Sequence, residues 1–386
     1  MLERGDQNWL RRFRNIVRDV PSFALWDRPL PSNVIPSFIF HKAVPAEFEE
    51  VLCYLKTNGY RTLKINEYYD YLIGKRRDAD RKVILTFDDG LRNNWSVAYP
   101  ILKRMGMKAV FYINPGMVSE DGMLGPTLED VWAGKISEEE LTAYEEKKPF
   151  TSWSEARDME ASGVIDVESH GWRHRICFIE NRIIDFQRPD KLGRPLYTWL
   201  FTAVDTNFDD YLWGCPVYPY RPRLAARRFL DDAGLRKACI DYVRSHGGTN
   251  FFSRKYWRKE LHGVVGDYRT HHRLETAFEL PDEQELAIRN SLVDSKKRIE
   301  EELGKKCEHF AYPWHASGRL SLLWLRELEI KTVFRKMSGW RMPTVGGDLF
   351  SLSRVEGYWI KSLPGKGRAG VGNKLLKRLA KLSNLS

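Results

Sequence analysis

The apolar run Val83-Ile84-Leu85-Thr86-Phe87 ends abruptly on Asp88-Asp89-Gly90, so a strand delivers two adjacent carboxylates to the point where the chain leaves its sheet. In α/β folds that carboxyl edge is where ligands are held and chemistry is done. Two carboxylates side by side do not both stay ionised and unpaired at low cost, and a divalent cation resolves the conflict. One can then ligate the ion while the other takes a proton from an attacking water. The plainer reading is a solvated turn, since Asp-Gly is a common turn pair.

A second polar cluster lies some eighty residues on, at Ser169-His170-Gly171-Trp172-Arg173-His174. Histidines four apart share one face of a helical turn, and a tight loop also converges them on one ion. This is not a zincin helix, because Gly171 stands where that motif needs Glu. Gly163 to Glu168 reads as a short strand, so these histidines again follow a strand end. One Asp and two His on neighbouring strand ends leave open positions around an ion, which is the catalytic rather than the structural arrangement.

Four segments in this order resemble the polysaccharide deacetylases, the NodB-homology domains of carbohydrate esterase family 4. They are Phe38-Ile39-Phe40-His41; Val83 to Tyr112, with its Asp-Asp-Gly; Thr151-Ser152-Trp153 through His174; and Ser295 to Arg335, containing Phe310-Ala311-Tyr312-Pro313-Trp314. They cover about half of the chain. The resemblance implies an α/β fold, a distorted (β/α)7-type barrel with a large insertion. It also implies a metal-dependent hydrolase that removes an N-acetyl group from an amino sugar. By that analogy Asp89, His170 and His174 are the metal ligands and Asp88 is the general base. The backbone N–H of Trp314 is then the oxyanion donor. Zinc is the expected ion, although imidazole and carboxylate also serve iron, cobalt and nickel.

The chain departs from that family pattern in three places. The family's usual general acid is a histidine near the end of the domain, yet no histidine follows His315. His315 stands where relatives often carry Gly, and His41 where some place a histidine near the cleft; either is a candidate acid, and a core or surface role competes for each. The arginine that often precedes the fourth-segment proline is replaced by Ala311-Tyr312. His246, His262, His271, His272 and His309 have no ligating pattern and read as structural.

Between His174 and about Gln284 runs a long aromatic-rich insertion, including Tyr197, Trp199, Phe201, Phe208, Tyr211, Trp213, Tyr218, Tyr220, Phe229, Phe251, Phe252, Tyr256 and Trp257. Most of these rings are expected to form the insertion's own core, although aromatic faces also stack on pyranose rings. Gly214 to Arg223 holds three prolines and reads as a stiff loop rather than a helix, with Arg221 and Arg223 available to a phosphate or carboxylate.

A (β/α) barrel takes about 250 residues, so 386 leave room for the insertion and both ends. The expected organisation is a basic amphipathic arm over 1–30, the barrel over 31–365 with its insertion at about 177–284, and a basic amphipathic tail over 366–386. Cys53, Cys177, Cys215, Cys239 and Cys307 are odd in number and form no C-x-x-C pair, which reads as reduced thiols. Of the formal +10, residues 361–386 supply +7, leaving +3 for the body and no nucleic-acid footprint. Leu375, Leu376, Leu379 and Leu382 line one stripe of the tail among lysines. Trp9, Leu10, Phe13, Ile16, Val17 and Val20 do so in the arm among arginines. Such helices lie on anionic membrane surfaces, or dock on protein.

No export signal or spanning segment is visible in the sequence. The expectation is therefore a cytoplasmic enzyme, peripheral on the inner membrane face. It would act on an N-acetylated sugar in a cell-surface polysaccharide or its lipid- or nucleotide-linked precursor. A deformylase of a lipid-linked amino sugar and an inactive metal-containing glycan-binding protein are the alternative readings.

Overall fold

A computed structural model describes residues 20–25, 29–120, 122–191, 193–196, 212–337, 342–370 and 372. The stripes proposed for the arm and the tail, Val20 apart, lie outside the described residues, as do Tyr197, Trp199, Phe201, Phe208 and Tyr211.

Seven parallel strands close on themselves: β1 (Ser37–Phe40), β2 (Lys82–Phe87), β3 (Ala109–Ile113), β4 (Ile165–Ser169), β5 (His309–Ala311), β6 (Thr332–Met337) and β7 (Leu352–Glu356). Each pairs with the next in sequence order, and β7 returns to β1 through Phe38 opposite Val355. The expected (β/α)7 barrel is thus the observed fold.

Strand periodicity sorts the residues of this barrel into two sets. Val83, Leu85, Phe87, Ala109, Phe111, Ile113, Ile165 and Val167 face outward. They pack on helices α1 (Pro45–Thr57), α3 (Tyr99–Met105) and α4 (Trp153–Ala161) through Leu52, Leu55, Ile101, Leu102, Ala156 and Met159. Ile84, Val110, Tyr112, Ala311, Phe334 and Leu352 form the inner cluster, joined by Ile65, Tyr68, Tyr71 and Leu72 of α2 (Ile65–Leu72). Burying both faces explains why β2 and β3 read as continuous apolar runs.

Local sequence sets the helix ends. Pro100, lacking an N–H, follows a π-helical turn at Asn94–Ala98, and α3 stops on left-handed Gly106 (φ 68°). Helix α4 opens with a capping box, where Ser152 Oγ accepts from Glu155 N at 3.3 Å and Glu155 Oε2 accepts from Ser152 N at 2.8 Å.

The chain divides into two units by internal contacts, one of Met1–Trp172, Val293–His315 and Arg326–Ser386, the other of Arg173–Leu292 and Ala316–Leu325. The second unit has cores of its own. Phe178, Cys215, Val217, Tyr218, Phe229 and Ile240 form one; Phe186, Leu235, Cys239, Val243, Phe251, Leu261 and Val265 form another. Most described rings of the insertion are therefore structural, while Tyr220 and Tyr256 stay exposed.

The proline-rich stretch is more ordered than a stiff loop. Pro216–Val217 pairs antiparallel with Asp185–Phe186, and Tyr220–Pro222 with Ile176–Phe178. Two-stranded ladders have only edges, so proline's missing donor costs them little. All five cysteines are free thiols, Cys53 exposed and the other four buried.

Candidate active site

Strand β2 carries Ile84, Thr86 and Asp88 on its inner face. Its end is fixed from β1, where Phe38 O accepts from Thr86 Oγ1 at 2.9 Å and Phe40 O from Asp88 N at 3.0 Å. Arg354, on β7 beyond the intervening β1, reaches Asp88 through the barrel interior. Nη1 donates to Oδ1 and Nη2 to Oδ2, each at 2.6 Å, and Nη1 also meets Thr86 Oγ1 at 3.1 Å. Both side chains are buried. Burial by itself raises the Asp88 pKa, but the Arg354 charge, and after it His170, outweigh burial and hold the carboxyl well below the usual carboxylate range. Asp88 is a fixed, ionised acceptor.

Asp89 turns away from its neighbour. It adopts φ 75° and is followed by Gly90 at φ 66°, two left-handed residues in succession. Aspartate tolerates that region. At Gly90 a Cβ would fall 3.1 Å from that of Ile113. Thr151 clamps the turn, donating to Gly90 O from its N at 3.0 Å and its Oγ1 at 3.2 Å. The adjacent carboxylates therefore meet different partners. A guanidinium relieves one of them, a solution the sequence reading had not included.

His170 follows β4 and is buried. Its Nδ1 lies 2.7 Å from Ala311 O, an acceptor, so Nδ1 donates there and Nε2 is the nitrogen turned toward the carboxylates. Nε2 stands 3.5 Å from Asp89 Oδ1 and 3.8 Å from Asp88 Oδ2. Asn114 ties the histidine segment to the end of β3, donating from Nδ2 to His170 O at 2.8 Å and to Gly171 O at 3.0 Å. His174 arrives on a loop rather than a helical turn. One donor atom from each of Asp89, His170 and His174 lies within 4.8 Å of the others. This donor set, with His170 oriented by a carbonyl at its far nitrogen, fits a divalent cation.

The other candidates follow β1 and β5. Trp314 and His315 both have positive φ, 56° and 54°, and Trp314 exposes half of its surface. Both lie in the left-handed region that glycine adopts most readily. Burial, then the Arg354 charge, brings the His315 pKa down to about 3, against the opposing pull of Asp88. His315 is therefore neutral near pH 7. His41 is exposed just beyond β1, its carbonyl accepting from Asn94 Nδ2 at 2.9 Å.

Histidines read as structural have structural partners. His309 lies buried between Thr332 Oγ1 at 2.7 Å and Asn66 Oδ1 at 3.2 Å. His246, His271 and His272 each place Nδ1 on the carbonyl four residues back. Arg223, proposed for an anion, is engaged by Glu279 through both guanidinium nitrogens.

Sequence reasoning missed Arg354 and Asn114. The signal for Arg354 was a lone arginine on the Leu352 side of the alternating strand Leu352-Ser353-Arg354-Val355.

Residues 75–189 match the family model described as polysaccharide deacetylase. Among similar proteins is YxkH of Bacillus subtilis (strain 168), whose name assigns it to the polysaccharide deacetylases. It is 40% identical over 67 residues, 17% of this chain and 24% of that protein. The poly-beta-1,6-N-acetyl-D-glucosamine N-deacetylase of Escherichia coli (strain K12) is 26% identical over 123 residues, 32% of this chain and 16% of that protein. The chain thus spans about a quarter of the first and a sixth of the second. In fold it is similar to the BpsB deacetylase domain of Bordetella bronchiseptica, with TM-score 0.50 and 13% identity over 85% of this chain and 97% of that one.

Proposed function

We propose that this protein is a metal-dependent hydrolase that removes N-acetyl groups from an N-acetylglucosamine polymer. The observation that carries this reading is the Asp89–His170–His174 donor set beside an ionised Asp88 locked by Arg354. Asp89, His170 and His174 would hold the ion, which supplies charge to polarise an acyl carbonyl and to acidify water. Asp88 accepts the proton of the attacking water. Its depressed pKa makes it a transient carrier, because the departing amine is the stronger base and takes the proton on. We assign His315 rather than His41 as the neighbour that orients this transfer, since the Asp88 and Arg354 charges both act on its ring. The N–H of Trp314 is assigned to the developing oxyanion.

The polymer is suggested by the name of the Escherichia coli relative. The lysines and arginines of 361–386 suit a phosphate-linked precursor or an anionic membrane surface.

The test is elemental analysis of protein purified without chelators, paired with acetate release from N-acetylglucosamine oligomers. Wild type should carry about one metal per chain and the His170→Ala/His174→Ala variant none. Asp88→Asn should keep the metal and lose at least about a hundredfold in turnover. Full activity of Asp88→Asn, or metal retained without both histidines, refutes the mechanism.

A further inference from the structure

The second unit contains a cavity of about 370 Å³ lined by Ile179, Arg221, Ala225, Ala226, Arg227 and Phe278. Its construction is specific. Glu279, almost fully buried, is saturated: Arg223 binds both of its oxygens, and Oε1 also accepts from Arg228 N at 2.7 Å. That carboxylate is neutralised where it stands and adds no net repulsion at the cavity. Arg227 is held rather than loose, with Nε donating to Glu279 O at 2.6 Å and its guanidinium 5.6 Å from the centre of the Phe278 ring. Phe278 is itself fixed, pairing in a short ladder with Phe229 and meeting that ring edge-on at 5.5 Å. Arg221 enters from the strand Tyr220–Pro222, clamped against Ile176–Phe178. Among the described residues neither Arg221 nor Arg227 has a carboxylate partner.

The cavity therefore offers the held guanidinium of Arg227, the exposed Arg221 on a paired strand, and an apolar wall of Phe278, Ile179, Ala225 and Ala226. A guanidinium fork matches the oxygens of a phosphate or carboxylate. The apolar C–H face of a pyranose fits a wall of this kind. We propose that this cavity is a binding site for an anionic saccharide, one whose sugar ring lies on the Phe278 wall and whose phosphate or carboxylate is held by Arg221 and Arg227. The sugar half of this ligand rests on the reading given under Proposed function; the anion half stands on the arginines alone.

Calorimetric titration of the full chain at low salt tests it, using N-acetylglucosamine 1-phosphate, glucuronate, neutral N-acetylglucosamine and inorganic phosphate. At least one anionic sugar should bind and the neutral sugar should not, and the preferred anion identifies the charged group. Arg221→Ala/Arg227→Ala should weaken binding at least about tenfold. Phe278→Ala should weaken the anionic sugar and leave inorganic phosphate unchanged. These variants should keep the wild-type unfolding midpoint and the wild-type acetate release from neutral oligomers, which separates this site from the candidate active site. Neutral sugar binding as tightly as the charged ones, or wild-type affinity in the double arginine variant, overturns the proposal. Phosphate binding as tightly as its sugar ester removes the saccharide from it. A failure of acetate release with anionic sugar binding intact counts against the deacetylase reading and not against this site.

Discussion

Arg354 holds Asp88 by two parallel hydrogen bonds, with both side chains buried, so each charge depends on the other. Removing one partner of such a pair leaves a buried charge uncompensated, at a cost of about 3–5 kcal/mol. Arg354→Ala should therefore lower the urea midpoint markedly. Arg354→Lys should not restore activity, because an ammonium is a point charge without the planar fork that spans two oxygens. The sign of the pH effect follows from the cause. Arg354 favours ionised Asp88, so its loss raises the Asp88 pKa and the acid limb of the rate profile moves to higher pH. Unchanged acid limbs in both variants would show that Asp88 is not the group that must be ionised. The sequence reading placed Asp88 correctly at a strand end but not its partner, because 266 residues separate the two and no local pattern links them.

At the scale of elements, His309 shows what a strand does to a titratable side chain that faces the barrel interior. On β5 it is fully buried, and burial first, then the charge of Lys305, holds its pKa well below the ordinary value. An unfolded histidine takes up a proton below about pH 6.5 and the folded one does not. The unfolded state then binds more protons, so His309 makes stability fall as pH drops below that point, by up to about 1.4 kcal/mol per pH unit. Urea unfolding from pH 7 to 5 should show this slope, and His309→Asn should remove one proton's worth of it. Equal slopes in the two proteins would mean that His309 titrates normally in the folded state. The elements themselves were legible where period and punctuation agreed, as in β2, an apolar run stopped by Asp-Asp-Gly. The stretch Gly214 to Arg223 was less so, since its strands are two and three residues long and their partners lie 30 and 42 positions away at the closest.

At the scale of the whole molecule, one thiol is exposed and four are enclosed in the two units. Burial pushes the Cys177 pKa up to about 11 and that of Cys239 to about 12, and it holds that of Cys307 well above its ordinary value. The thiolate is the reactive form. A thiol-specific chromophore should therefore titrate Cys53 quickly in the native protein and all five cysteines only after denaturation. A Cys53→Ser variant should have no fast phase. Rapid reaction of two or more thiols in the native chain would mean that these cores open readily.

The family resemblance carried by four sequence segments implied the barrel, and the Asp-Asp-Gly stop and the histidine loop marked the candidate donor residues, because both are local patterns that survive in one dimension. The sequence also foresaw that most insertion rings would pack with one another, since so many aromatics in one segment bury each other. Only the tertiary structure decided which groups complete the site. Barrel closure brings β7 beside β1, and that closure carries Arg354 across the interior to Asp88. Parallel strands also bring Ala311 to the far nitrogen of His170, which turns its Nε2 toward Asp89. These contacts depend on strand neighbours and on which face a residue points to, so they exist only once the sheet has closed.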